Sequence, residues 1–150
     1  MKLLVALLFL LPNIFLSCQT ESTSATTSET DTAQVPEIKD TATGLASFYG
    51  RRFEGKKSAS GEIFHRYELV AAHPTYPFGT LVRITNLEND DTVRVRIIDR
   101  GPTTVNQKEG VIIDLSKGTA EKLRMVKDGR IQVKVEVLEW GRDSIGNEKN

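Results

Sequence analysis

The sequence predicts a small, mainly β domain closed into a barrel, and three observations carry that reading. Apolar and polar residues alternate at the period of a strand through much of the chain after residue 80. A single stretch has helical spacing instead. A break in composition near residue 44 separates this patterned part from a polar stretch ahead of it. One short helix among five or six strands favours a sheet that closes on itself, because closure removes exposed edges.

Leu45–Tyr49 reads as the first strand and Gly50 ends it. Leu81–Leu87 is a second strand, and Thr92–Asp99 alternates cleanly until Ile98, where both faces become apolar. Between them, Glu88-Asn89-Asp90-Asp91 has the composition of a hairpin turn. Ile112–Leu115 is short and largely apolar. Ser116 is placed to cap a helix in which Ala120, Leu123 and Val126 fall near helical spacing, with Gly129 as its stop. In Ile131–Val137 every odd position is aliphatic and every even one polar, which is a half-buried strand. Pattern alone does not say which small barrel this is.

The front end is of another kind. Met1 and Lys2 precede nine apolar residues, Leu3–Leu11. That run is too short to span a membrane, which takes about 20 residues as helix, but it has the length of a secretory signal core. Phe15-Leu16-Ser17-Cys18 follows, and the order resembles a bacterial lipoprotein signal, in which cleavage leaves a lipid-bearing cysteine first. Phe15 stands where leucine is usual in such signals. Cys18 is the only cysteine, so an intramolecular disulfide is excluded. Residues 19–43 hold eleven Ser or Thr, one proline and no aromatic residue, a composition that cannot bury enough apolar surface to offset the entropy of ordering. The expected organisation is a signal peptide over 1–17, a lipidated cysteine and disordered linker over 18–43, the barrel over 44–141 and a polar tail over 142–150.

The formal net charge is zero. It combines an acidic linker with a mildly basic domain, sixteen Lys or Arg against thirteen Asp or Glu over residues 44–141. Such an excess suits an anionic partner but is far from a nucleic-acid footprint.

Three segments place polar residues where packing does not ask for them. Ser58-Ala59-Ser60-Gly61-Glu62 presents a carboxylate on a loop of small residues. In Ala71-Ala72-His73-Pro74 a histidine ends an apolar run, and in Asp99-Arg100-Gly101-Pro102 an acid stands at the mouth of a strand. A carboxyl leaving the core there is partly desolvated and is a candidate proton donor. Each has a plainer reading: a solvated Glu62, a His73 that bonds its own turn, an Asp99 that pairs with Arg100 or accepts backbone hydrogen bonds. His65 has no acidic partner in sight and reads as surface. A metal site from Glu62, His73 and Asp99 lacks the second histidine of the usual facial triad and is the minor reading.

Taken in series, Gly44-Leu45-Ala46-Ser47-Phe48-Tyr49-Gly50, the three segments above, Val82-Arg83-Ile84-Thr85-Asn86-Leu87 and Ile113-Asp114-Leu115-Ser116 resemble the rare lipoprotein A (RlpA) family. The resemblance covers residues 44–138. It implies a six-stranded double-psi β-barrel with one or two short helices. It also implies an endolytic peptidoglycan lytic transglycosylase that cuts the β-1,4 bond between N-acetylmuramic acid and N-acetylglucosamine and leaves a 1,6-anhydro end. Glu62, His73 and Asp99 are then the catalytic residues. Ser58 and Ser60 stand where the family's loop usually has Thr and Asn, and many relatives carry a further peptidoglycan-binding repeat domain.

Because the substrate's own 6-hydroxyl attacks, one carboxyl can serve as acid and then as base, and Asp99 is the expected one, with Glu62 as the exchangeable alternative. Tyr49, Ser60, Tyr76 and Arg100 are candidate substrate-binding residues. Phe48 and Trp140 are further sugar-stacking candidates, although aromatic residues are more often core. No cofactor is implied. The expected partners are glycan strands and, through the lipid on Cys18, a membrane; nucleic acid is not one. Gln19 lacks the aspartate that retains some lipoproteins at the inner membrane, so an outer-membrane anchor facing the periplasm is expected, with a monomer as the default. Two rivals stay open: a non-catalytic, expansin-like wall-binding module and a two-carboxylate hydrolase.

Overall fold

The computed structural model describes residues 36–141. The expected signal peptide, Cys18, most of the linker and the tail from residue 142 lie outside the described residues.

Six strands close into one barrel. In chain order they are β1 (Asp40–Phe48), β2 (Val70–Ala72), β3 (Leu81–Asn86), β4 (Thr92–Asp99), β5 (Val111–Leu115) and β6 (Ile131–Glu139). Around the barrel they run β1-β5-β2-β4-β3-β6 and back to β1. β1 pairs parallel with β5 and β2 parallel with β4, while the other four pairings are antiparallel. This is the double-psi β-barrel. Two short helices complete it, α1 (Thr104–Lys108) and α2 (Lys117–Lys122), with a single 3-10 turn at Arg51–Phe53.

The alternating segments behave as their periodicity requires. Val82, Ile84, Val95, Ile97, Val133 and Val135 face inward and are fully buried. Leu123 and Met125, just after α2, join the same core. The hairpin turn after β3 is real: Asp90 takes a left-handed conformation (φ 59) and donates its N–H to Asn86.

Five local features differ from the sequence reading. β1 begins at Asp40, so residues 40–43, read as linker, are strand; they pair with residues 134–137 of β6, a partner that composition does not reveal. β2 is only three residues long and buried throughout, so it shows no alternation. α1 carries no apolar stripe, and its Val105 is exposed. α2 is capped by Ser116 as expected but ends at Lys122, well before Gly129. There Arg124 turns left-handed (φ 56) and the Met125 N–H returns to the Ala120 carbonyl, which satisfies an orphan acceptor and stops the helix. Finally, Glu136 on β6 is buried rather than exposed. Its cross-strand partner Arg83 donates to it at 2.9 Å, and Lys134 lies 3.2 Å away.

Candidate active site

The site is assembled where β1 and β4 end. Ile97 points into the barrel, whereas Ile98 lies on the outer face in a second small cluster with Phe64 and Val70, against which Tyr49 and Phe53 pack. That is why the alternation of β4 fails at its last turn. The Tyr49 ring meets Phe53 edge-on at 5.0 Å and Phe64 at 4.9 Å, and this packing aims its hydroxyl at Asp99. Tyr49 donates to Asp99 Oδ2 at 3.0 Å.

Asp99, the last residue of β4, accepts two more hydrogen bonds at Oδ1, from the Ala59 N–H and from its neighbour Arg100 N–H, both at 2.8 Å. The Ser60 N–H donates to the Ile98 carbonyl at 3.0 Å, which pins the small-residue loop to the strand end one residue earlier. Burial, and next the charge of Asp99, push the Tyr49 hydroxyl far above its usual pKa. Tyr49 therefore stays a neutral donor.

Around this pair lies a cleft of about 500 Å³, lined among others by Phe48, Tyr49, Asp99, Arg100, Gly101 and Asp114. Arg100 shapes one wall. Its guanidinium donates to the carbonyls of Tyr76 (2.9 Å) and His73 (3.4 Å) and sits 3.7 Å over the Phe78 ring, so it holds the 73–76 turn in place.

His73 is buried in that turn, and its plainer reading is what its ring does. Nδ1 accepts from the N–H groups of Tyr76 (3.0 Å) and Thr75 (3.3 Å), and the ring stacks on Tyr76 at 3.6 Å. An accepting Nδ1 puts the ring proton on Nε2. Burial first, then the Arg100 charge, hold its pKa down at about 4, so the ring is neutral at pH 7. Through its backbone N–H it also donates to the Asp99 carbonyl, at 3.2 Å. Tyr76 faces a separate, shallower depression of about 390 Å³ with Thr75, Pro77 and Trp140, its hydroxyl donating to Asp40.

Glu62 stands on the loop beside the cleft and does not line it. Arg96 grips its carboxylate with two hydrogen bonds, at 2.6 and 2.8 Å, and these hold its pKa below the usual range. Ser60 Oγ lies 3.4 Å from the same carboxylate. The structure thus brings Asp99, Tyr49 and Arg100 to one cleft, sets Glu62 and Ser60 on the adjoining loop, and puts His73 and Tyr76 in the turn behind. His65 is exposed as expected, but it has an acidic partner, Glu54, at 3.3 Å. Among the described residues no three His, Cys, Asp or Glu side chains are grouped to hold a metal ion.

Among the cleft residues not singled out from the sequence as site residues are Asp114 on β5 and Ser47, which donates its hydroxyl to Asp114. The available signal was a carboxylate set between the apolar residues Ile113 and Leu115 of a short strand.

Comparisons with known proteins agree with this architecture. A family model described as lytic transglycolase matches residues 41–135. The endolytic peptidoglycan transglycosylase RlpA of Campylobacter jejuni is 44% identical over 110 residues, which cover 73% of this chain and 38% of that protein. The probable endolytic peptidoglycan transglycosylase RlpA of Aquifex aeolicus is 45% identical over 98 residues, 65% of this chain and 42% of that one. The chain therefore spans about two fifths of the length of these curated relatives. Among solved structures, the Streptomyces papain inhibitor superposes with a TM-score of 0.54 at 22% identity, over 68% of this chain and 97% of that one. That likeness is one of fold alone. The family match spans most of the chain and all of the cleft's strands, and the chain belongs to the lytic transglycolase family.

Proposed function

We propose that this cleft cuts peptidoglycan glycan strands at the β-1,4 bond between N-acetylmuramic acid and N-acetylglucosamine, leaving 1,6-anhydro ends. The observation that carries the reading is the Asp99 carboxyl, oriented by three donors at the edge of a cleft in a chain of this family. The bridging oxygen needs a proton as the anomeric carbon gains positive charge. The muramic acid 6-hydroxyl must then lose one as it closes on that carbon. One positioned carboxyl can serve both needs, and general acid–base help of this kind is worth about 10²–10⁴-fold.

The other candidates support it. Arg96 keeps Glu62 ionised at the rim, where a negative charge favours a developing cation. Ser60 and Tyr49 offer hydroxyls beside it, and Arg100 fixes the far wall. His73, neutral and bonded to its own turn, supports the backbone of Asp99. The depression at Tyr76 and Trp140 offers aromatic faces for a further sugar.

The same reading extends to the front of the chain: cleavage before Cys18, lipid on its thiol, and a polar tether of about 20 residues that lets an envelope-anchored barrel reach the wall. Replacing Cys18 with Ser should release the protein from the membrane fraction. For the reaction, the full-length protein is incubated with purified sacculi and the released fragments are weighed by mass spectrometry. Anhydro ends support the transglycosylase, reducing ends a hydrolase, and no soluble fragment a binding module. If Asp99→Asn and Glu62→Gln both release product at the wild-type rate, the site is elsewhere.

A further inference from the structure

The proposed cleavage needs one proton given and one proton taken, and the cleft holds two carboxyls. Every hydrogen bond of the Asp99 side chain is one it accepts. Asp114 is differently placed. It lies on β5 between Ile113 and Leu115, which are fully buried in the barrel, and its own side chain takes the opposite face and lines the cleft. Ser47, directly across in the β1–β5 register, donates its hydroxyl to Asp114 Oδ1.

The other oxygen, Oδ2, lies against Gly101. A Cβ at position 101 would come within 3.1 Å of Asp114 Oδ2, 3.3 Å of the Ala72 Cβ and 3.8 Å of the Tyr49 hydroxyl. The missing side chain lets the turn that carries Asp99 settle directly over Asp114. This gives Gly101 a physical reason, two residues after Asp99.

β4 brings Asp99 to the surroundings of Asp114, the end of β1 brings Tyr49, and Arg130 approaches from the start of β6, itself bonded to Glu109. Arg52 and Arg100 line the same cleft, the Arg100 guanidinium being turned to the carbonyls of His73 and Tyr76. β2 sets only Ala72 opposite it, and α1 brings Asn106 and Gln107 to the same cleft. Burial pushes the Asp114 carboxyl above the usual range and the Asp99 charge adds to this, while Ser47 and Arg130 pull the other way.

We propose that Asp114 is a second catalytic residue of this cleft and carries the proton that is given, so that Asp99 acts as the group that takes one. The inference rests on the transglycosylase reading and narrows the part of Asp99 in it. As the bond from the muramic acid C1 to the bridging oxygen breaks, the Asp114 O–H bond breaks and its proton passes to that oxygen. The substrate's O6 forms the new bond to C1, and the proton of the 6-hydroxyl passes to Asp99. A proton returning from Asp99 to Asp114 through solvent restores the starting state.

The test is made on the full-length protein with purified sacculi, following anhydro-ended fragments from pH 4 to pH 9. Asp114→Asn keeps the shape and the acceptor for Ser47 but has no dissociable proton. It should lose at least about 100-fold in rate without a change in melting temperature. In the wild type, activity should fall as pH rises through the Asp114 pKa. Ser47→Ala removes a bond that favours the ionised form, so that alkaline limb should move to higher pH. An Asp114→Asn protein that cuts at the wild-type rate with an unchanged pH profile overturns the proposal.

A carboxyl ¹³C titration of the wild type needs no change at Asp114. There Asp114 should hold its proton to higher pH than the exposed carboxyls, and Asp99→Asn should lower its midpoint. If Asp114 titrates with the exposed groups, or ignores Asp99→Asn, the proposal fails even where sacculi are cut. Reducing ends from the wild type would instead sink the transglycosylase reading, and the assigned proton acceptor with it.

Discussion

The two walls of the barrel are built from different kinds of sequence. β3, β4 and β6 form an antiparallel wall whose residues alternate until Ile98 on β4 and until Val135–Leu138 on β6, where four consecutive residues are buried. β1, β5 and β2 form a wall with shorter pairings, and both parallel pairs of the barrel, β1–β5 and β2–β4, involve it; each contains a register shift, at Leu45/Ala46 and at Ala71/Ala72, against one at Leu81/Val82 between β3 and β6. The polar groups that matter for chemistry collect on this second side: Ser47, Tyr49, Asp114 and, at the end of β4 where it leaves β2, Asp99. Regular alternation fills a core, and it leaves no side chain over for other work. The other wall departs from that pattern, and Ser47, Tyr49 and Asp114 on or beside its strands reach the cleft.

That contrast can be broken from either side. The largest effect is expected from Asp99→Asn, about 10²–10⁴-fold in release of anhydro-ended fragments with little change in melting temperature. On the regular wall, Ile84→Ala should do the opposite, costing about 2–5 kcal/mol in denaturant unfolding, because Ile84 is fully buried and a cavity replaces it. His73 gives a pH signature. Its folded pKa, about 4, lies below the unfolded value of about 6.5, so the unfolded chain binds the extra proton between those limits. Its contribution is complete above about pH 6.5 and is lost as pH falls toward 4, on the order of 1–2 kcal/mol. His73→Asn, whose Oδ1 can accept the same turn N–H groups, should flatten that part of the stability–pH curve. Ser116→Ala removes the α2 cap and should cost about 1 kcal/mol. Arg96→Met should cost less than about 1 kcal/mol in stability, since its pair with Glu62 is exposed, while restoring the Glu62 pKa upward, visible by carboxyl titration.

The same contrast decides what could be read in advance. β3, β4, β6 and the turn between β3 and β4 were legible because one face of each is buried and the other is wet. β2 was not, since three buried residues have no period. The first four residues of β1 were not, because a polar segment becomes strand only when β6 is there to pair with it. Asp99 was legible as an acid at a strand mouth. Two of its three donors were not, because Tyr49 and Ala59 lie 50 and 40 residues away in the chain. Glu62 was legible as a loop carboxylate, but its grip by Arg96 spans 34 residues. Asp114 was visible only as part of a motif, since nothing in five residues of strand says which face opens onto a cleft.

β1 and β6 run antiparallel, with Asp40 opposite Val137 and the Lys39 N–H bonded to the Val137 carbonyl. The chain therefore enters and leaves the barrel side by side. A load applied between these two points would not shear the sheet, in which many hydrogen bonds resist together. It would open the β1–β6 seam like a zipper, one rung after another from Asp40 inward. A barrel anchored at its entry strand and pulled from its exit would thus yield at low force, whereas a tether loaded through the entry strand and a substrate held in the cleft would pull along β1 itself, against its whole length of pairing.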